Sequence, residues 1–168
     1  MTTQSPAEEA ACSYDLYVAL HRSRRMNPQI FTMGRCTAIL TAMMGGRSWS
    51  WRVVGITPAA LRLFQNSGYK KTARDGITRA HIQGRSKTTS ELLQSVEPLP
   101  IEEFARIWIE NDKTVLCVRG ENKDPLPDYV IFEDAEHGFF PSTQIAWRHG
   151  KMEKEFLMSV ATKHGLVG

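Results

Sequence analysis

The string Arg79-Ala80-His81-Ile82-Gln83-Gly84-Arg85 holds the residue types best suited to chemistry. An imidazole titrates near neutrality and can pass a proton either way, and a guanidinium grips an oxyanion through a rigid fork of N–H donors. If the string is helical, His81 and Arg85 lie four residues apart on one face. A metal-independent phosphodiesterase needs about that pairing, with Lys71, Arg74 or Thr88 adding stabilisation. The same string also reads as a surface histidine among arginines that touch phosphate or pair with carboxylates. No second histidine is placed by the sequence to act with His81.

These residues belong to a polarised stretch. Arg62 to Lys87 carries seven basic residues against one acid, a formal charge of +6, whereas residues 88–136 carry −8 and the whole chain +3. Like charges at that density must be solvated or must meet an anion, and phosphate is the commonest anion that a basic protein meets. The leading expectation is nucleic-acid binding, with Lys70, Lys71, Arg74, Arg79 and Arg85 on phosphates and Tyr69 stacking on a base. A small nuclease or other phosphoryl-acting hydrolase using His81 and Arg85 is the first alternative. The second is a non-catalytic assembly protein whose +6 and −8 stretches pair, within the chain or between copies in a homo-oligomer.

A metal-dependent version of the hydrolase rests on acids. Residues 100–164 read as a helix, three strands and a helix, with Pro127-Asp128 at the start of a strand and Glu121-Asn122-Lys123 nearby. In that order of elements the stretch resembles the core of the PD-(D/E)xK nucleases. The resemblance implies a divalent metal held by Glu121 and Asp128, with a lysine beside the attacking water. Here the acid-x-lysine half precedes the aspartate, the reverse of the family's order. A polar hairpin turn accounts for Glu121, Asp124 and Asp128 equally simply. Histidines 137, 149 and 164 lack metal-ligand spacing, so the site residues include no metal ligand set, and the sequence leaves any cofactor unknown.

With 168 residues, 42% of them hydrophobic, the chain is expected to form one domain, residues 1–168. Cys12, Cys36 and Cys117 have no spacing that suggests a disulfide framework or a zinc site. No apolar run reaches the roughly 20 residues of a membrane span and the N-terminus lacks a secretory pattern, so a cytoplasmic setting and no membrane partner are expected.

The elements that must position these residues follow from capping signals and periodicity. Ser5-Pro6-Ala7-Glu8 predicts a helix from about Pro6 to Arg24, and Asn27-Pro28 predicts a second one ending at Gly45-Gly46. Trp49 to Ile56 reads as a strand, and Thr57-Pro58 starts a helix to Ser67-Gly68 whose N-terminus is a candidate anion site. Thr78 is expected to cap a short helix through Arg85, Thr88 and Glu91 to box the next, and Pro100 to open one more. TVLCVRG, DYVIFED and the segment around QIAWRH then predict an antiparallel meander, and KMEKEFLMSVATKHG a covering helix. The fold class is therefore α+β: an N-terminal helical pair, a small mixed or antiparallel sheet of about four strands, and a C-terminal helix.

Overall fold

The computed structural model describes residues 6–45, 50–70, 76–123, 125–133, 140 and 149–165. In chain order its elements are α1 (Pro6–Ala11), α2 (Tyr14–Met26), α3 (Met33–Met44), β1 (Arg52–Ile56), α4 (Pro58–Asn66), β2 (Ile77–His81), α5 (Arg85–Leu93), α6 (Ile101–Asn111), β3 (Lys113–Val118), β4 (Val130–Ile131) and α7 (Lys151–Lys163). A single 3-10 turn, Arg119–Glu121, follows β3. This is the expected α+β class, with helices at both ends and a mixed four-stranded sheet.

Local chemistry explains most boundaries. Thr57 caps α4 by accepting from the Ala60 N–H, and Pro58 occupies the first turn, where its missing N–H costs nothing. The first helix is broken at Ser13, a residue that suits boundaries better than helix interiors: its N–H bonds back three residues to the Ala10 carbonyl, and α2 restarts beyond it. Asn27 closes α2 instead of opening α3. The turn that follows is held by Arg24 and Arg35, whose guanidinium groups donate to the Phe31 and Ile30 carbonyls, and Thr32 is the actual cap of α3.

The largest departure concerns the chemistry-bearing string. Residues 77–81 form β2, antiparallel to β3 from Ile77 opposite Val118 to His81 opposite Thr114. Tertiary pairing with a buried β-branched strand outweighs the short local helix signal. Gly84 then caps α5, which starts at Arg85, so Thr88 and Thr89 are buried inside the helix and the Thr88–Glu91 box does not form. Glu91 instead accepts from the side chains of Gln83 and Asn111.

The strand order is β2-β3-β1-β4, with β1 parallel to β3 and β4 antiparallel to β1. The expected meander is thus corrected: β3 and β4 are separated by β1, and β4 is only two residues long. The strand expected around QIAWRH falls outside the described residues, apart from His149. Gly55 is required where β4 crosses beside β1, because a Cβ there would stand 2.6 Å from the Val130 carbonyl oxygen.

The described residues form two apolar clusters. One joins α2 and α3 to α5 and α6, around Tyr17 stacked on Phe104 at 4.5 Å. Tyr17 donates to the Leu92 carbonyl and accepts from the Leu99 N–H, Tyr14 donates to the Leu99 carbonyl and His21 bonds the Ser95 carbonyl. α2 therefore fixes the connection between α5 and α6. The other cluster packs α4 and α7 on the sheet through Phe64, Leu116, Phe132 and Leu157. Among the described residues no helix is long and apolar enough to cross a membrane.

Candidate functional site

Where α6 runs into β3, Asp112 is buried and serves three donors. Its Oδ1 is 3.2 Å from His81 Nε2 and 2.6 Å from Arg85 Nη2, and its Oδ2 accepts from the Trp51 N–H at 3.1 Å. His81 ends β2 and Arg85 opens α5, so the pair is brought together by a strand-to-helix turn and not by one helix face. Asp112 is the C-cap of α6 and Arg85 the first residue of α5, which puts each charge at the helix end whose dipole opposes it. Each offsets the other's misplacement.

Trp51 is the platform under these charges. It adopts φ 59°, a left-handed conformation rarely tolerated by a bulky side chain, immediately before β1. Its N–H is held by Asp112 and its carbonyl by Arg79 Nη1 at 3.0 Å and Thr114 Oγ1 at 2.9 Å. The guanidinium groups of Arg79 and Arg85 lie 5.2 and 5.4 Å from its ring centre, and Arg85 also lies 5.0 Å from that of Trp108. His81 meets the Trp51 ring edge-on at 4.3 Å.

Burial sets the charges. It lowers the pKa of His81 below its ordinary 6.5; the Asp112 hydrogen bond opposes that shift and the charges of Arg85 and Arg79 add to it, so the ring rests neutral at neutral pH. Burial also lowers both arginines, Arg79 to about 10, with Asp112 opposing in each case, and both stay charged at neutral pH.

Donors outnumber acceptors here. Arg85 Nε and the indole N–H groups of Trp51 and Trp108 are buried without a hydrogen-bond partner among the described residues. His81, Ile82, Gly84, Arg85, Asn122, Lys123 and Leu126 line a recess of about 240 Å³. Gly84 offers no side chain to the start of α5, so the first N–H groups of that helix lack the cap that α4 has. An anion such as a phosphate oxygen matches the Arg85, Asn122 and Lys123 side chains that line it.

The other expected residues are dispersed. Lys70 is exposed, and Tyr69, at φ 57°, is half-buried and packs into the α4–α7 cluster while its carbonyl accepts from His149. Lys71 and Arg74 lie outside the described residues. Arg79 is 4% exposed and faces inward, whereas Arg62 and Lys87 are exposed. Glu121 and Asp128 are not gathered into a metal centre: among the described residues no group of three or more His, Cys, Asp or Glu side chains could hold a metal ion. Glu121 accepts from the Thr57 hydroxyl at 2.7 Å and the Val118 N–H at 3.1 Å, which fills the candidate anion position at the start of α4 with the chain's own carboxylate.

Sequence reasoning missed Asp112; Asn122 and Lys123 entered it only through the acid-x-lysine string of the nuclease resemblance, and Trp51 only within a strand. The signal for Asp112 was an acid directly after a helix pattern, at the end where a carboxylate is disfavoured. Comparison with protein-family models, with curated proteins and with solved structures finds no match, so geometry alone carries the functional argument.

Proposed function

We propose that the protein binds nucleic acid through its phosphates, with one phosphate seated in the recess between the end of β2, the start of α5 and residues 122–126. The observation that carries this reading is a recess lined by Arg85, Asn122 and Lys123 beside the side-chain-free start of α5 at Gly84. One carboxylate, Asp112, is already shared among His81, Arg85 and the Trp51 N–H, while Arg85, Asn122 and Lys123 all line the recess. Lys123 and Asn122 are exposed and line the recess, and Lys87 is exposed in the first turn of α5. A polyanion matches these cations, and released counterions supply much of the affinity.

The test is fluorescence anisotropy with labelled single- and double-stranded DNA and RNA across a salt series. Binding is expected to weaken steeply with salt. Lys123→Ala and Lys87→Ala are each expected to flatten the slope of log K against log salt by about 0.7–0.9. Affinity indifferent to salt, or no binding at low salt, would overturn the reading and leave Arg79 and Arg85 as internal partners of Asp112 and Trp51.

A further inference from the structure

We infer that His81 is the general base of this recess and that the protein hydrolyses the phosphodiester seated there. The inference rests on the binding reading above and extends it to a reaction. Asp112, when ionised, only accepts, so the proton it shares with the neutral His81 ring resides on Nε2 and the lone pair falls on Nδ1. No described residue bonds Nδ1, and His81 lines the recess. A buried carboxylate holding one ring nitrogen while the other faces a reactant fixes both ring orientation and tautomer.

The neighbours suit the step. A phosphate in the recess would set a non-bridging oxygen against the Arg85 guanidinium, and Lys123 lines the same recess. Water held at Nδ1 attacks phosphorus, forming a new P–O bond as its proton passes to His81. The bond from phosphorus to the leaving oxygen breaks with its electron pair on that oxygen, which takes a proton from the Lys123 ammonium. The products are a phosphomonoester and an alcohol, and solvent returns the proton from His81 to Lys123. Asp112 stabilises the imidazolium formed in the step. Arg85 and Arg79 oppose it, and Lys123 shares its recess.

The experiment incubates end-labelled single-stranded RNA and DNA with the full chain in excess EDTA, measures binding in parallel, and follows product on a denaturing gel. Expected is cleavage of both polymers to linear phosphate ends, with His81→Gln lowering the rate by at least about 100-fold at unchanged Kd. Binding of intact oligonucleotide without product overturns the inference and leaves the binding reading standing, whereas no binding at low salt removes both. Cleavage abolished by EDTA yet indifferent to His81→Gln overturns His81 as the base. Cleavage of RNA alone, with cyclic phosphate ends, overturns the water step.

If His81→Gln does not melt cooperatively, the pH–rate profile of the unaltered protein decides. The rate is expected to rise with pH through the acid range below 6.5, as the ring loses its proton, and to level off above it. A profile without that acid limb overturns the inference.

Discussion

The starts of α4 and α5 invite direct comparison, because each helix follows a strand across a short turn, yet their chemistry is opposite. At α4, Thr57 caps the backbone and Glu121 supplies a carboxylate at the end where the helix dipole favours one. At α5 a glycine caps without a side chain, and the first residue is a buried cation. Asp112 pairs with the side chain of Arg85, and among the described residues no carboxylate accepts from the first backbone N–H groups of α5. One helix start is completed from within the chain. The other leaves its first N–H groups without a side-chain cap beside a recess lined by Arg85 and Lys123.

The largest expected effect breaks the second region outright. Asp112→Asn leaves Arg85 buried without a counter-charge, and it is expected to cost about 3–5 kcal/mol in denaturant unfolding. The double variant Asp112→Leu, Arg85→Met is expected to recover most of that stability, since a volume-matched apolar pair removes both charges. A double variant no more stable than Asp112→Asn would mean that the cluster holds the turn by something other than charge pairing.

Next is the completed start. Glu121→Ala removes the acceptor for the buried Thr57 hydroxyl and is expected to cost about 1–3 kcal/mol. Sulfate is expected to restore part of the lost melting temperature in this variant beyond its effect on the unaltered protein, by taking the vacated place. Equal sulfate effects on both proteins would argue against an anion site at α4.

A smaller effect comes from His81. Its folded pKa lies below 6.5, so between that pKa and 6.5 the unfolded chain binds more protons, and stability rises with pH. The melting temperature is therefore expected to fall as pH drops from about 7 toward 5 and to flatten below the folded pKa. His81→Gln is expected to remove this component, as calorimetry at stepped pH would show.

The smallest effect on stability makes the two starts alike. Gly84 has φ −57°, and nothing stands within 4 Å of where its Cβ would lie, so Gly84→Asp fits and gives α5 a capping carboxylate. A gain of about a few tenths of a kcal/mol is expected. Oligonucleotide affinity is expected to fall at the same time, because the new acid competes for the phosphate seat. Unchanged affinity in an anisotropy titration would count against that seat.

Strong local signals carried over into the structure. Thr57-Pro58, Pro100 and the apolar run Thr114–Val118 each lead to the expected element, and the mixed four-stranded sheet follows the expected class. What failed to carry over depends on distant partners. Ile77 to His81 pairs with residues more than thirty positions away, so a period read locally could not reveal it. Asp112 looks like an ordinary boundary residue until β2 and α5 converge on it. Its meaning resides in the crossing of three elements, and no spacing along the chain encodes that crossing.

The central place of β3 also has a consequence for the order in which the molecule is made. Val53 pairs with Thr114 and Ile77 with Val118, so both neighbours of β3 wait for a strand that leaves the ribosome after them. β4 can pair with β1, but a two-residue ladder is too short to hold alone. During synthesis the first hundred residues can form helices but no sheet, and closure over such long separations is slow. Until Val118 emerges, β1 remains an apolar strand with unpaired edges, the state in which a nascent chain is most exposed to aggregation.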